Sequence, residues 1–175
     1  ASGATLGFLS PAANSVGAQV VGVLPGPKGL GAQAMLDAPR SAYVLIGVEP
    51  ELDAYDAGAA TRALRSAEFV VALSAFKAAA QDDADVLLPI APFSETAGSF
   101  INMEGRLQSF HGVVKPQGEA RPAWKVLRVL GNLLNLGGFD YDTAEGVRAD
   151  ALQGDLAAAL NNAAAEVGLT VNAAS

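Results

Sequence analysis

The sequence predicts an α/β fold: an open, mainly parallel sheet of about four strands with helices on both faces, followed by C-terminal helices. Two observations carry this. Four short apolar runs, at residues 5–9, 43–48, 69–73 and 86–88, show little polar alternation, as suits strands covered on both faces of a parallel sheet. Helical segments separate them, and strand–helix–strand order implies right-handed crossovers.

The elements follow in order. Residues 15–24 read as a helix, with Asn14 or Ser15 as cap and Pro25-Gly26-Pro27 as its stop. Residues 30–37 form a second, halted by Pro39, which disfavours helix at Ala38. In residues 57–67, Ala60, Ala63, Leu64 and Ala67 share one stripe at helical spacing. Residues 78–82 allow a single turn. Residues 90–121 hold six Gly or Pro and no helical period, with short extended pieces at 99–101 and 106–110. A loop this long is usually functional or covered. Its apolar Phe93, Phe100, Ile101, Met103, Leu107 and Phe110 point to an assembly surface rather than a catalytic loop. Helix resumes with Pro122 as first helical residue. Trp124, Leu127, Leu130, Leu133 and Leu134 give it a broad apolar face, and Gly137-Gly138 ends it. A last helix spans 143–161, with Asp142 as cap and Glu145 as capping-box partner. The organisation is thus an α/β domain over 1–121 including the long loop 90–121, a helical segment over 122–162, and a loose tail over 163–175.

Composition excludes several functions. In 175 residues, 11 Lys and Arg against 18 Asp and Glu leave a net charge of −7, and no basic patch suits a nucleic acid. Zero Cys removes disulfides, zinc–thiolate sites, iron–sulfur ligation and thiol nucleophiles. The apolar runs stop far short of the ~20 residues of a membrane-spanning helix. No Lys or Arg precedes Lys28 and no Met starts the chain, so an excised or processed piece without a signal peptide is expected.

Candidate chemistry is sparse. Gly26-Pro27-Lys28-Gly29-Leu30-Gly31 mimics a phosphate loop but follows a helix and lacks the dinucleotide and Walker spacings, so an interhelical loop is expected. His111, the only histidine, lies near Ser109 and Ser94 in sequence, but no Gly-x-Ser-x-Gly elbow supports a nucleophile. Asp82, Asp83 and Asp85 lack the Gly and terminal Glu of a calcium loop and read as loop charges. Glu49 and Glu95 both follow apolar strands, at the end where open α/β sheets bind ligands. They are either a paired acid/base site or two loop acids beside an inherited crevice.

One long ordered string is more specific. Ala84-Asp85-Val86-Leu87-Leu88-Pro89, then residues 95–108 (Glu95-Thr96-Ala97-Gly98-Ser99-Phe100-Ile101-Asn102-Met103-Glu104-Gly105-Arg106-Leu107-Gln108), then Gly118-Glu119-Ala120-Arg121-Pro122-Ala123-Trp124 resembles the molybdopterin oxidoreductase superfamily. Asn14-Ser15-Val16-Gly17-Ala18 and Val48-Glu49-Pro50-Glu51 look like earlier landmarks, so the resemblance covers about residues 5–136. It implies the Rossmann-like domain of the formate dehydrogenase/DMSO reductase superfamily. Residues 108–116 and 124–134 look most like one branch of it, the large iron–sulfur subunit of NADH-quinone oxidoreductase (respiratory complex I).

That branch implies the C-terminal part of a molybdopterin oxidoreductase-like half that is a non-catalytic scaffold. The parent's iron–sulfur clusters would lie in a part not present here, and the complex passes electrons from NADH to quinone. The implied partners are the remaining domains of that large subunit and other peripheral-arm subunits. The implied location is cytoplasmic, peripheral to the inner membrane without insertion. Catalytic, cofactor-binding and metal-binding residues are all expected to be absent. Two departures matter: no Cys, and only 39 residues after Leu136, too few for the large barrel that grips the cofactor in active molybdenum enzymes. The alternatives are a fragment of an active molybdopterin enzyme such as a formate dehydrogenase, and a free-standing small-ligand-binding α/β module.

Overall fold

Three of the four apolar runs form one parallel sheet. The computed structural model describes residues 9, 10, 12–77, 83–154 and 160. Within them, strands β1 (Ala42–Ile46), β2 (Phe69–Ser74) and β3 (Val86–Pro89) lie side by side, with β2 central. Both pairings are parallel: Tyr43 faces Val70 across β1–β2, and Ala72 faces Leu87 across β2–β3. The expected first strand falls almost wholly outside the described residues. Only Leu9 of it is described, and it is exposed and outside any strand. The sheet among the described residues therefore has three strands rather than about four.

Helices α2 (Ala32–Asp37) and α4 (Ala57–Arg65) pack on one face of this sheet. Ala60, Ala63 and Leu64 are buried along the stripe the sequence predicts, against Tyr43 and Val70, with Met35 and Leu36 beside them. Tyr43 also ties α2 down: its hydroxyl donates to Met35 O at 2.8 Å and accepts from Arg40 N at 2.9 Å. This satisfies the polar end of a buried ring. Asp56 caps α4 by accepting from Ala59 N at 2.8 Å.

The opposite face is different. The register puts Ala42, Val44 and Ile46 of β1, Phe69, Val71 and Leu73 of β2, and Val86 and Leu88 of β3 on it. All eight are apolar, yet Val44 is 57% exposed, Phe69 46%, Ile46 43% and Val86 36%. Cover on this face is uneven: Leu73 at the carboxyl end of β2 is only 1% exposed, while the β1 side and the strand starts stay open.

Several boundaries differ from expectation for local reasons. Strand β1 stops at Ile46 rather than Val48 because Gly47 turns with φ +61°. Helix α1 (Ser15–Val20) ends before Leu24, because Gly22 takes φ +72°. Val23 N then donates to Ala18 O and Gly22 N to Gln19 O, the paired bonds of a Schellman motif. Helix α3 (Pro50–Asp53) is a turn not foreseen, with Pro50 opening it and Asp53 accepting from Glu49 N at 2.7 Å.

The long loop is more ordered than its composition suggests. A 3-10 turn at Phe93–Glu95 leads into an antiparallel hairpin of β4 (Gly98–Ile101) and β5 (Leu107–Phe110). Its apolar residues divide: Ile101 is buried, Phe100 meets Phe110 edge-on at 5.5 Å, and Phe93 stays exposed. Helix α1 packs against β4, where Asn14 Oδ1 accepts from the buried Ile101 N–H at 2.9 Å. Asn14 thus occupies the N-cap position of α1 but spends its side chain on the hairpin.

Helix α5 (Ala123–Leu133) starts after Pro122, which stands at the N-cap rather than inside the helix. It ends before the glycine pair because Asn135 adopts φ +55°, with Leu136 N donating to Gly131 O. Helix α6 (Ala144–Ala151) is capped by Thr143, not Asp142: Thr143 Oγ1 accepts from Gly146 N at 3.0 Å. Glu145 is one position too early to serve as the capping-box partner. The helix stops at Ala151, well short of residue 161, and Gly154 follows at φ +101°. The turn expected at 78–82 and the tail at 163–175 lie outside the described residues.

Candidate functional site

The residues singled out in the sequence do not converge. Gly26–Gly31 is an exposed turn between α1 and α2, closed by Gly29 N donating to Gly26 O at 2.8 Å. Asp83 pairs with Arg65 at 3.1 Å, and Asp85 accepts from Val70 N at 2.7 Å, fastening the entry of β3 to β2. Both are structural; Asp82 lies outside the described residues. Glu49 sits at the start of α3, and Glu95 accepts from Gln117 N at 2.9 Å. β2 separates the strands that these two carboxylates follow. They do not form an acid/base pair.

The geometry gathers a different set of side chains. A cleft of about 380 Å³ lies between α1, the β4–β5 hairpin and α6, with Trp124 at one end. Its walls are mostly aliphatic: Val21, Val23, Ile101, Leu107, Val147 and Leu152. Its polar groups form a short chain. Ser99 and Ser109, opposite each other across the hairpin, have their hydroxyls 2.9 Å apart, and Arg148 Nη1 donates to Ser109 Oγ at 2.6 Å. His111 stands at the rim, with its imidazole 80% exposed and Nδ1 3.9 Å from Glu145.

A second, shallower cleft of about 700 Å³ adjoins the first across His111, Trp124 and Glu145. Lys115, Arg121 and Lys125 face Glu95, Asp142 and Glu145 there, so its charges balance. Arg121 is spent on Gly118 and Ala120 carbonyls, and Lys125 lies 5.3 Å from the Trp124 ring. Nothing there selects a ligand sign.

Of the sequence candidates, only Ser109, His111 and Glu95 line either cleft. Arg148, Ser99 and Trp124 were not picked out as site residues. Arg148 meets Ser109 across 39 positions of chain, and no local spacing encodes such a contact. Among the described residues no group of three or more His, Asp or Glu could hold a metal ion, and no helix is long and apolar enough to cross a membrane. One ionisable group is perturbed. The Tyr141 phenol is held above its ordinary value of 10.0, first by its short hydrogen bond to Asp150, then by desolvation and by the Asp150 charge.

Comparison with known proteins adds what the geometry does not. The family model for molybdopterin oxidoreductases matches residues 2–133. NADH-quinone oxidoreductase subunit 3 of Thermus thermophilus is 35% identical over 135 residues, covering 77% of this chain and 16% of the relative. The 78 kDa subunit of mitochondrial NADH-ubiquinone oxidoreductase of Candida albicans is 40% identical over 65 residues, 37% of this chain and 9% of the relative. The alpha subunit of a formate dehydrogenase of Methanocaldococcus jannaschii is 33% identical over 104 residues, 59% of this chain and 16% of the relative. The chain spans about a sixth or less of the length of each.

Proposed function

Because the chain belongs to the molybdopterin oxidoreductase family, we propose that it serves as a scaffold domain of the large iron–sulfur subunit of an NADH-quinone oxidoreductase. Its partners are then the rest of that large subunit and neighbouring peripheral-arm subunits, on the cytoplasmic side of the inner membrane. It holds no redox group of its own. The sheet face bearing Val44, Ile46, Phe69 and Val86 carries this reading: all its residues are apolar, and these four stay at least a third exposed although Leu73 beside them is buried. Parallel sheets are stable with both faces covered, so such a face calls for a further protein layer.

The chain's own residues offer little to a molybdopterin. At the carboxyl ends of the strands, Ser74 Oγ is engaged with the backbone of Phe76, Gly47 N donates to Leu73 O, and Ile90 and Ala91 are buried apolar residues. Among the described residues that follow these strands, Glu49 and Glu95 carry the same sign as a pterin's phosphates and Lys77 alone the opposite one. With zero Cys the chain also supplies no thiolate to a cluster. The 135-residue match to the Thermus subunit, against 104 residues for the formate dehydrogenase, supports the NADH-quinone branch.

The test uses a full-length subunit carrying this chain in its assembled complex. Glu95→Ala and His111→Ala are expected to leave NADH oxidation per assembled complex unchanged. Val44→Asp with Phe69→Asp is expected to prevent assembly. Loss of turnover in intact complexes of the first pair would assign chemistry to the chain, and formate-dependent turnover would move it to the formate dehydrogenases.

A further inference from the structure

The cleft between α1, the hairpin and α6 has a feature that the scaffold role does not use. Arg148 is half-buried in its wall, yet among the described residues its guanidinium makes no ion pair and bonds only the Ser109 hydroxyl. The bond to Ser109 is open to solvent, so the other guanidinium donors remain free for an anion entering the cleft. The carboxylate of the lining, Glu145, does not take them up. It reaches towards His111 at 3.9 Å and makes no salt bridge with Arg148.

The remaining chemistry narrows what could complete the site. A guanidinium presents a planar fork that suits two oxygens of one carboxylate, and Ser99 with Ser109 can add a hydroxyl donor beside it. A doubly charged phosphate would find one arginine and two hydroxyls, with the rim His111 turned to Glu145, whose carboxylate opposes a second negative charge. The walls away from Arg148, formed by Val21, Val23, Leu107 and Val147, carry no donors for a sugar or a base. They suit a hydrocarbon body. The volume of about 380 Å³ falls within the range of small-molecule sites, roughly 300–1,000 Å³.

We propose that this cleft binds a small amphipathic monocarboxylate, its carboxylate on Arg148 and the Ser99–Ser109 pair and its hydrocarbon chain against the aliphatic walls. The site is separate from the open sheet face, so it stands or falls independently of the scaffold reading.

The sole tryptophan, Trp124, lines the cleft and reports on it directly. The purified chain is titrated with octanoate and, separately, with octanol, which has the same body and no charge. Octanoate is expected to change Trp124 emission saturably and to bind at least about tenfold more tightly than octanol. Arg148→Gln is expected to abolish that preference while the octanol response persists, which shows that the cleft itself remains formed. Arg148→Lys should keep part of the preference. Equal binding of the acid and the alcohol, no saturable response to either, or an unchanged preference in Arg148→Gln would each overturn the proposal.

Discussion

A few contacts at the residue scale explain why certain positions accept only one residue type. Gly112 lies against the backbone that leaves the 3-10 turn: a Cβ there would sit 2.7 Å from the Glu95 carbonyl carbon and 2.8 Å from Thr96 N. Backbone cannot rotate away as a side chain can. Gly112→Ala is therefore expected to cost about 1–3 kcal/mol as an overpacking change, read from the urea midpoint at unchanged m-value. Tyr141 gives a second residue-scale expectation. Its pKa is raised in the folded chain, so the Tyr141–Asp150 contact stabilises fully below the free phenol's value and is lost as pH climbs through the folded one. Ring-resolved NMR titration should place Tyr141 above 10.0, and Asp150→Asn should bring it back down towards the ordinary range. A Tyr141 that titrates identically in both proteins would remove Asp150 as the cause.

Between elements, the join of α1 to the hairpin depends on one amide. Asn14 Oδ1 satisfies the N–H of Ile101, a residue only 2% exposed. Asn14→Ala would orphan that buried donor at a cost of about 1–3 kcal/mol, and Asn14→Asp, which keeps the acceptor, should recover most of it. Hydrogen exchange at Ile101 in the two variants checks this against a loss of helix capping, which would leave that amide protected. Such joins mark the limit of what the sequence discloses. The β1–β2–β3 sheet and the α4 stripe were legible because burial imprints a periodicity or an unbroken apolar run on the chain itself. The hairpin was only half legible, since Gly98, Ser99 and Ser109 dilute its pattern. Helix ends slipped wherever a left-handed residue closed them earlier than the obvious breaker, as Asn135 does before Gly137. The Arg148–Ser109 and Asn14–Ile101 contacts were not legible at all. They depend on how separate elements dock.

On the scale of the whole molecule, the asymmetry of the sheet decides how the chain behaves alone. One face rests on α2 and α4, while the other leaves Val44 57% and Phe69 46% exposed. Side chains this exposed contribute little to the stability of the isolated chain, so Val44→Glu with Phe69→Glu should shift its unfolding free energy by no more than about 0.5 kcal/mol per site. The same residues, once covered, would each bring roughly 1.5–3 kcal/mol of burial, so the cost should appear only where a covering layer is present. Two measurements separate these states. The isolated chain should bind a hydrophobic dye, and the double variant should reduce that binding at nearly unchanged stability. In a full-length subunit, the double variant should instead lower thermal stability by several degrees. Equal effects in both settings would mean that the face stays uncovered in the larger protein, and the scaffold role would then need a different surface.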